Sequence, residues 1–224
     1  MHRIAIIPAR SGSKGIKDKN IVELNGEPLI AYTIKAAIDS QCFDAVFVSS
    51  DSEKYLHIAS TYGAKGSLRK PELSGDYVAT FPVLEDFING LDPIPDEFAL
   101  LQATSPLRNA QHIREAVSLF EENKHKYDYV VSVCKASTPS VLIRELEKDG
   151  SMKKFDIDYS IYRRQDYHEY TPNGAIYVAK TKPYLEQKHF YGEKALAYEM
   201  SKRDSIDIDD EIDLHIAEYY LKSV

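Results

Sequence analysis

The sequence contains few of the features that mark secreted, zinc-binding or membrane proteins. It has two cysteines, Cys42 and Cys134, which lie far apart and form no C-x-x-C pair. This spacing argues against a zinc site or a disulfide framework and favours a reducing compartment. No apolar run approaches the ~18 residues that a membrane helix needs, and the first, Ile4 to Ile7, is too short for a signal peptide. We therefore expect a cytoplasmic protein that does not enter the membrane.

Positive charge is also scarce. Lysine and arginine number 28 against 35 aspartates and glutamates, which gives a formal net charge of -7. Proteins that bind nucleic acids usually show a basic balance or a basic stripe, so the composition argues against nucleic acid as a partner. The hydrophobic fraction of 43% over 224 residues is enough for one sizeable core. We expect the partners to be small molecules or other copies of the chain.

Strand-like and helical patterns alternate along the chain. Runs rich in β-branched residues occur at Ile4–Pro8, Ala45–Ser49, Phe98–Gln102 and Tyr129–Val133, and helical patterns at Leu29–Ser40, Glu53–Tyr62, Thr80–Ile88 and Ala110–Glu122. Such alternation predicts an α/β fold, in which a mostly parallel sheet is covered by helices on both faces in three layers. Ligands of such sheets bind at the carboxyl ends of the strands.

The pattern changes over residues 137–172, where short polar segments carry many tyrosines and no long apolar run. The main fold is expected to resume at Gly174–Val178 and to end with a helix over Glu211–Tyr220. No internal repeat or low-complexity linker occurs. We therefore predict a single domain over residues 1–224, with residues 137–172 inserted as a small subdomain.

The first strand runs into a basic loop, PARSGSKGIKDKN, at residues 8–20. The loop has neither the Walker A spacing nor the G-x-G-x-x-G spacing of dinucleotide-binding proteins. Its composition still suits phosphate, because glycines let backbone N–H groups approach an anion, serines donate hydrogen bonds and cations add charge. The residues concerned are Gly12, Gly15, Ser11, Ser13, Arg10, Lys14 and Lys19. A solvated basic turn is the alternative interpretation.

An acidic block, SIDIDDEID, lies at residues 205–213. In a β-like segment Asp207 and Asp209 point to one face, while Ile206 and Ile208 point into the core. Two neighbouring carboxylates repel each other, and Mg²⁺, which takes one or two carboxylates together with phosphate oxygens and water, relieves that repulsion. The alternative is that the whole block caps the following helix.

Seven blocks resemble one family in their order. The run PARSGSKGIKDKN, followed by NGEPLIAYTI, resembles the N-terminal signature of the acylneuraminate cytidylyltransferases, also called CMP-sialic acid synthetases. FVSSDS, LRKPELSGD, LLQATSPLR, RRQD, PNGAIY and SIDIDDEID are similar to the later blocks of that family and extend the likeness over nearly the whole chain. The resemblance implies a Rossmann-like nucleotidyltransferase fold and an enzyme that uses CTP, Mg²⁺ or Mn²⁺, and a nine-carbon acid sugar.

On the nucleotide side, the resemblance implies that the opening loop binds CTP through Arg10, Ser11, Gly12, Ser13, Lys19 and Asn20. Arg10 and Lys19 would stabilise the triphosphate and the departing pyrophosphate. Positions matching Arg69, Thr80 and Gln102 contact the cytidine part of the nucleotide. Asp207 and Asp209 would bind the metal, and Asp209 is counted with Arg10 and Lys19 as catalytic. From the residues alone, Arg69 reads as a surface salt bridge and Thr80 as a helix N-cap.

On the sugar side, the resemblance implies contacts from Gln102, Arg163, Gln165, Asn173, Tyr177, Phe190 and Tyr191. Arg163 would pair with the sugar carboxylate, and Phe190 and Tyr191 would pack on the N-acyl group. From the residues alone, these two aromatics read as core residues. Thr171 stands where some relatives carry an arginine, and this difference leaves the identity of the acyl sugar open. In this family the inserted subdomain exchanges between subunits, so a homodimer is expected.

Alternative functions remain. The same chemistry is possible on legionaminate or pseudaminate, and less readily on an eight-carbon ulosonate. Two alternatives come from other functional classes: a non-catalytic relative that binds nucleotides, and a glycosyltransferase. A non-catalytic relative should have lost at least one of Arg10, Lys19, Asp207 and Asp209. A glycosyltransferase usually carries Asp-x-Asp after a central strand, and no such motif occurs there.

Overall fold

The structure, a computed structural model, describes residues 2–13 and 15–223. Its strands are β1 (Arg3–Pro8), β2 (Glu23–Leu24), β3 (Glu27–Pro28), β4 (Ala45–Ser50), β5 (Lys65–Leu68), β6 (Glu97–Leu100), β7 (Tyr129–Lys135), β8 (Tyr170–Lys180) and β9 (Ala195–Glu199). Its helices are α1 (Leu29–Ser40), α2 (Glu53–Thr61), α3 (Thr80–Asn89), α4 (Ala110–Asn123), α5 (Thr181–Gln187) and α6 (Glu211–Lys222).

The described strands form one seven-stranded sheet in the order β5-β4-β1-β6-β8-β7-β9, and β2 and β3 form a short separate hairpin. β1 pairs in parallel with β4 and β6, while β8 runs antiparallel to both of its neighbours, β6 and β7. The predicted mostly parallel sheet is confirmed.

Helices cover both faces of the sheet. On one face, α1, α2 and α4 pack on alternate strand residues such as Ala5 and Ile7. On the other, α3 and α5 pack on Ile4, Ile6 and Phe98. The strands are apolar on both sides because both sides are covered. A third, smaller cluster joins α6 to the start of α1, the short hairpin and Ile16 of the opening loop.

Most predicted elements near the site agree with the structure to within two residues. α1 has the predicted bounds, because Pro28 precedes it and its apolar residues lie on one buried face. α4 begins with a capping box between Asn109 and His112. The prediction omitted β5, β9 and α5, which are short and only partly apolar. None of the described helices is long and apolar enough to cross a membrane.

The predicted insertion leaves the sheet after Lys135, and the chain returns to it at Tyr170. Between these points the chain forms two short 3-10 turns, at Ser140–Leu142 and Arg164–Asp166. Several of its large apolar side chains are exposed, up to 75% for Ile161; they are Ile143, Leu146, Met152, Tyr159, Ile161 and Tyr167. The insertion therefore buries little of its own apolar surface within one subunit.

The chain path creates a natural ligand site. From β1 the chain moves outward to β4 and β5, and then crosses by α3 to β6 on the opposite side of β1. The loops after β1 and β6 therefore separate at the carboxyl edge of the sheet. A crevice at such a switch point is where open α/β sheets bind ligands.

Candidate active site

A cleft of about 300 Å³ opens at this switch point. Its lining comes from the loop after β1, the segment after β5, the start of α3 and the end of β6 with the segment after it. Among its lining residues are the predicted nucleotide-binding residues Arg10, Ser13, Lys19, Asn20, Arg69, Thr80 and Gln102. Residues that are distant in the chain thus meet in one cleft.

Internal contacts order the opening loop. The buried Asn20 side chain donates through Nδ2 to the Arg10 carbonyl oxygen at 2.9 Å. Arg10 pairs through Nη1 with Asp76, and Lys19 lies 3.0 Å from Asp209 Oδ1. Arg10 and Lys19 both line the cleft, so these two cations do not form the solvated turn that was the alternative interpretation, and Lys14 lies outside the described residues.

The structure does not bring Ser11 and Gly12 into the cleft. Ser11 donates its backbone N–H (2.8 Å) and its hydroxyl (2.9 Å) to the Asp51 carboxylate, so both donors are occupied. Gly12 lies beside the Arg10 guanidinium, because a Cβ there would be 3.8 Å from Nη1. In this arrangement Asp51 shapes the loop, and Ser13 is the serine of this loop that faces the cleft.

Arg69 and Thr80 differ from what their residue types alone suggest. Arg69 does not form a surface salt bridge. It is buried, and its Nη2 group donates a hydrogen bond to the Ser49 carbonyl oxygen at 2.9 Å. Burial lowers its pKa, an effect that the Asp51 carboxylate opposes. Thr80 is the first residue of α3, and the N-cap position is occupied by Ala79.

The acidic segment is not a strand of the sheet: residues 206–208 have no regular secondary structure, and Asp209 and Asp210 form a bend before α6. It is held by one main-chain hydrogen bond, from Ile208 N–H to the Thr104 carbonyl oxygen at 2.9 Å. Ile208 is buried and Asp209 is exposed, as the predicted alternation requires, but Ile206 and Asp207 do not differ in this way, because both are partly buried. Asp210 caps α6 by accepting from Ile212 and Asp213 N–H, so helix capping accounts for part of the block only.

Gly15 allows the opening loop to approach the acidic segment. A Cβ at this position would lie 2.5 Å from the Asp209 carbonyl oxygen, closer than real Cβ atoms approach backbone. Lys19 reaches the Asp209 carboxylate from the same loop. Lys19, which lines the cleft, therefore meets the Asp209 carboxylate, although neither Asp207 nor Asp209 is among the described residues that line the cleft.

The carboxylate pair suits a hard divalent cation. Asp207 Oδ1 is buried and has no hydrogen-bond partner. Burial raises the pKa of Asp207, and the Asp209 carboxylate raises it further, while the Thr104 hydroxyl and the Lys19 ammonium act the other way. No group of three or more His, Cys, Asp or Glu side chains within residues 2–13 and 15–223 forms a complete metal site. Two carboxylates fit Mg²⁺, which commonly shares its ligands with substrate phosphates.

A second cavity, of about 240 Å³, adjoins the cleft and shares Thr80 and Gln102 with it. Tyr177, Phe190 and Tyr191 line it, as the sugar-side prediction requires. Phe190 is also a core residue, with its ring centroid 4.8 Å from that of Tyr177. Tyr191 is 46% exposed and lies 3.4 Å, oxygen to oxygen, from the Tyr177 hydroxyl.

Three predicted sugar-binding residues lie outside this cavity. Arg163 and Gln165 are exposed in the insertion, where Arg163 lines a small separate pocket with Tyr162 and Tyr167. Asn173 is buried, and its amide is engaged with Ser132 Oγ (2.6 Å) and Ser205 Oγ (2.8 Å). Asn173 therefore links β8 to Ser205, two residues before Asp207.

Sequence reasoning missed four residues around the two cavities. Asp51 and Asp76 pair with loop residues, while Lys188 and His189 line the second cavity. Asp51 carries a local signal, because it lies two residues after the predicted strand Ala45–Ser49. Lys188 carries none: it ends α5 in the left-handed conformation with φ of 69°, and α5 itself was not predicted.

Comparisons with known proteins agree with this architecture. The family described as cytidylyltransferase matches residues 4–223. The chain is 47% identical over 214 residues to the N-acylneuraminate cytidylyltransferase of Escherichia coli O18:K1:H7, covering 96% of this chain and 51% of that protein. It is 36% identical to the CMP-N,N'-diacetyllegionaminic acid synthase of Legionella pneumophila, and the match covers 97% of this chain and 95% of that protein.

A solved structure shares the fold. CMP:2-keto-3-deoxy-manno-octonic acid synthetase, complexed with CTP, superimposes with a TM-score of 0.73 at 12% identity, covering 100% of this chain and 99% of that one. The chain spans about half the length of the N-acylneuraminate cytidylyltransferases it matches. With a family match over nearly all of its residues and the predicted sheet confirmed, the chain belongs to the cytidylyltransferase family.

Proposed function

We propose that the chain transfers CMP from CTP to the anomeric hydroxyl of a nine-carbon acid sugar, N-acetylneuraminate or a close relative, and releases pyrophosphate. One observation carries the proposal. A cleft lined by three cations, with the Asp209 carboxylate beside Lys19, adjoins an aromatic cavity, and Gln102 belongs to both. A nucleotide in the cleft and a sugar in the cavity would meet at this shared wall.

The triphosphate would lie along the opening loop. Arg10 and Lys19 are paired with Asp76 and Asp209, and the phosphates would take these carboxylates' places. Charge-assisted hydrogen bonds to phosphate are stronger than neutral ones. The same cations would neutralise the charge that develops on pyrophosphate as it leaves.

Asp207 and Asp209 would hold Mg²⁺ or Mn²⁺ together with phosphate oxygens. The unpartnered Asp207 oxygen and the repulsion between the two carboxylates support this assignment. When bound, such an ion stabilises charge on the transferring phosphate and lowers the pKa of a bound hydroxyl. The nearby Lys19 ammonium limits the net charge of the site before the cation arrives.

The cytosine would lie near Arg69, Thr80 and Gln102, which line the cleft. The sugar would pack its acyl group on Phe190 and Tyr191. In the reaction, a bond forms between the sugar hydroxyl oxygen and the α-phosphorus, and the bond from that phosphorus to the bridging oxygen breaks. The protein contributes mainly positioning and charge neutralisation.

A homodimer would complete the sugar site. Arg163 is remote from the second cavity of its own subunit, and the insertion that carries it exposes Ile143, Leu146 and Ile161. Pairing two insertions would bury these side chains and bring Arg163 to the neighbouring site. Sedimentation of the wild type as a dimer, and of Ile161→Asp as a monomer, is the expected result. A wild-type monomer would refute the proposal.

A legionaminate-type sugar is the second candidate. The relative from Legionella is named for N,N'-diacetyllegionaminic acid and is matched over 95% of its length. Thr171, which replaces an arginine found in some relatives, is exposed at the start of β8. We further propose a cytoplasmic location, which suits the free thiols of Cys42 and Cys134.

Pyrophosphate release with CTP and Mg²⁺ tests the function directly. N-acetylneuraminate, legionaminate, pseudaminate and the eight-carbon ulosonate are compared as acceptors, and CTP is compared with UTP and ATP. We expect release only with CTP and most strongly with a nine-carbon acid. If no acceptor supports release while CTP still binds, the chain is a non-catalytic nucleotide-binding protein.

A further inference from the structure

A buried arginine lies directly behind the wall that the two cavities share. Arg108 is 1% exposed and lies between the end of β6 and the start of α4. Its Nη2 group donates to Thr33 Oγ1 at 2.6 Å and to the Gln102 carbonyl oxygen at 3.2 Å. The Thr33 hydroxyl donates to the same carbonyl oxygen, also at 3.2 Å. The Arg108 guanidinium, the Thr33 hydroxyl and the Gln102 carbonyl oxygen are therefore hydrogen-bonded to one another in a closed triangle.

No carboxylate within the described part of the chain balances the Arg108 charge. Its Nε and Nη1 groups are buried without hydrogen-bond partners. Burial lowers the pKa of the guanidinium to about 9, so it remains a cation at neutral pH. A buried charge without a counter-ion destabilises a fold, and apolar replacement of buried charged groups is often neutral or stabilising. Folding stability therefore does not account for an arginine here.

We propose that Arg108 is a positioning residue for the transfer reaction. It holds the Gln102 carbonyl and thereby fixes the direction in which the Gln102 side chain enters the shared wall. This inference rests on the function proposed above, because it assigns Gln102 to the meeting point of nucleotide and sugar.

The Gln102 side chain is confined from the other side as well. Gly174 has φ of +77°, and a Cβ there would lie 2.6 Å from Gln102 Oε1. The amide thus lies against the bare backbone of β8, while its main chain is held by Arg108 and Thr33. A misplacement of about 1 Å near reacting groups can cost about 100-fold in rate, so both restraints bear on catalysis.

Replacing Arg108 with methionine is the central test. The Arg108→Met side chain keeps most of the length and removes every donor. The Thr33 hydroxyl and the Gln102 carbonyl still bond to each other, so neither is left without a partner. We expect a melting temperature within about 4 °C of wild type and a loss in kcat/KM of about tenfold to a hundredfold. Arg108→Lys, which keeps a charged donor, should recover part of the activity.

Arg114→Met is the matched control, because Arg114 is exposed on α4 and bonds to Gln111. It should leave kcat/KM unchanged. In a Gln102→Ala background, Arg108→Met should cause no further loss, because its effect passes through Gln102. Additive losses in the double variant would overturn the inference, as would full kcat/KM in a folded Arg108→Met enzyme.

Three further outcomes separate the role of Arg108 from the proposed function. If Arg108→Met does not fold, Thr33→Val removes one donor to the same carbonyl, and full activity of that folded variant would refute the proposal. If the wild type releases no pyrophosphate with any acid sugar, the proposed function and this inference both fail. An active wild type with an unaffected Arg108→Met variant refutes only the role of Arg108.

Discussion

Replacing Lys19 should affect catalysis far more than it affects folding stability. Its Nζ lies 3.0 Å from Asp209 Oδ1; the Lys19 side chain is 16% exposed, but the Asp209 side chain is 80% exposed, so water screens the pair from the carboxylate side. Exposed ion pairs contribute at most about 1 kcal/mol to the free energy of unfolding. In a chain of this size that corresponds to about 2–4 °C in melting temperature. Lys19→Ala should therefore melt within a few degrees of wild type.

The catalytic loss should be much larger. Removing one group that stabilises transition-state charge typically costs about 10²–10³ in kcat. We expect a loss of this size in steady-state pyrophosphate release, at CTP concentrations raised until the rate saturates. Lys17→Ala is the matched control, because Lys17 is an exposed lysine of the same loop. An unchanged kcat in Lys19→Ala, or an equal loss in Lys17→Ala, would refute the assigned role.

Three more predictions concern the acidic segment and the second cavity. The pKa of Asp207 is raised in the fold, so its ionised form lowers stability at neutral pH. Asp207→Asn should therefore melt at a higher temperature than wild type at pH 7, and the difference should vanish below about pH 4, where the wild-type carboxyl is also protonated. Mg²⁺-dependent turnover should be lost, and an unchanged melting curve at pH 7 would contradict the stability prediction. Gly15→Ala should reduce turnover while retaining the fold by circular dichroism, because the new Cβ forces the loop away from the Asp209 carbonyl; full activity would show that the close approach is unimportant. Tyr191→Ala should raise the KM for the acid sugar but not for CTP, because Tyr191 lines only the second cavity, and equal changes in both constants would count against the division into two cavities.

Local pattern was sufficient where an element carries its own signals. α1 was predicted with both bounds correct because its apolar face, preceding proline and length are all local properties. β5, in contrast, reads KGSL and has little strand propensity. It becomes a strand because β4 offers a parallel partner from Phe47 to Ser50. Strand formation of this kind depends on neighbours and cannot be read from a short segment.

Some residues of the candidate site were predicted correctly and others were not, because their contacts also depend on neighbours that are distant in the chain. Resemblance to a family supplied the residue set, and most nucleotide-side members do line one cleft. It did not reveal that Ser11 bonds to Asp51 or that the Asn173 amide is engaged inside the fold. Both residues have polar side chains suited to a ligand, and only the packing around them decides which partner they take.

The sequence by itself determined the alternation of strands and helices, the basic loop after the first strand and the acidic block near the end, because each depends on residues close together in the chain. The tertiary structure decided what these parts meet. Lys19 pairs with a carboxylate 190 positions away, and Arg108 holds the Gln102 carbonyl through a triangle closed by Thr33. Such contacts arise from the sheet order and from the path of α3 across it, since these bring distant loops to one edge.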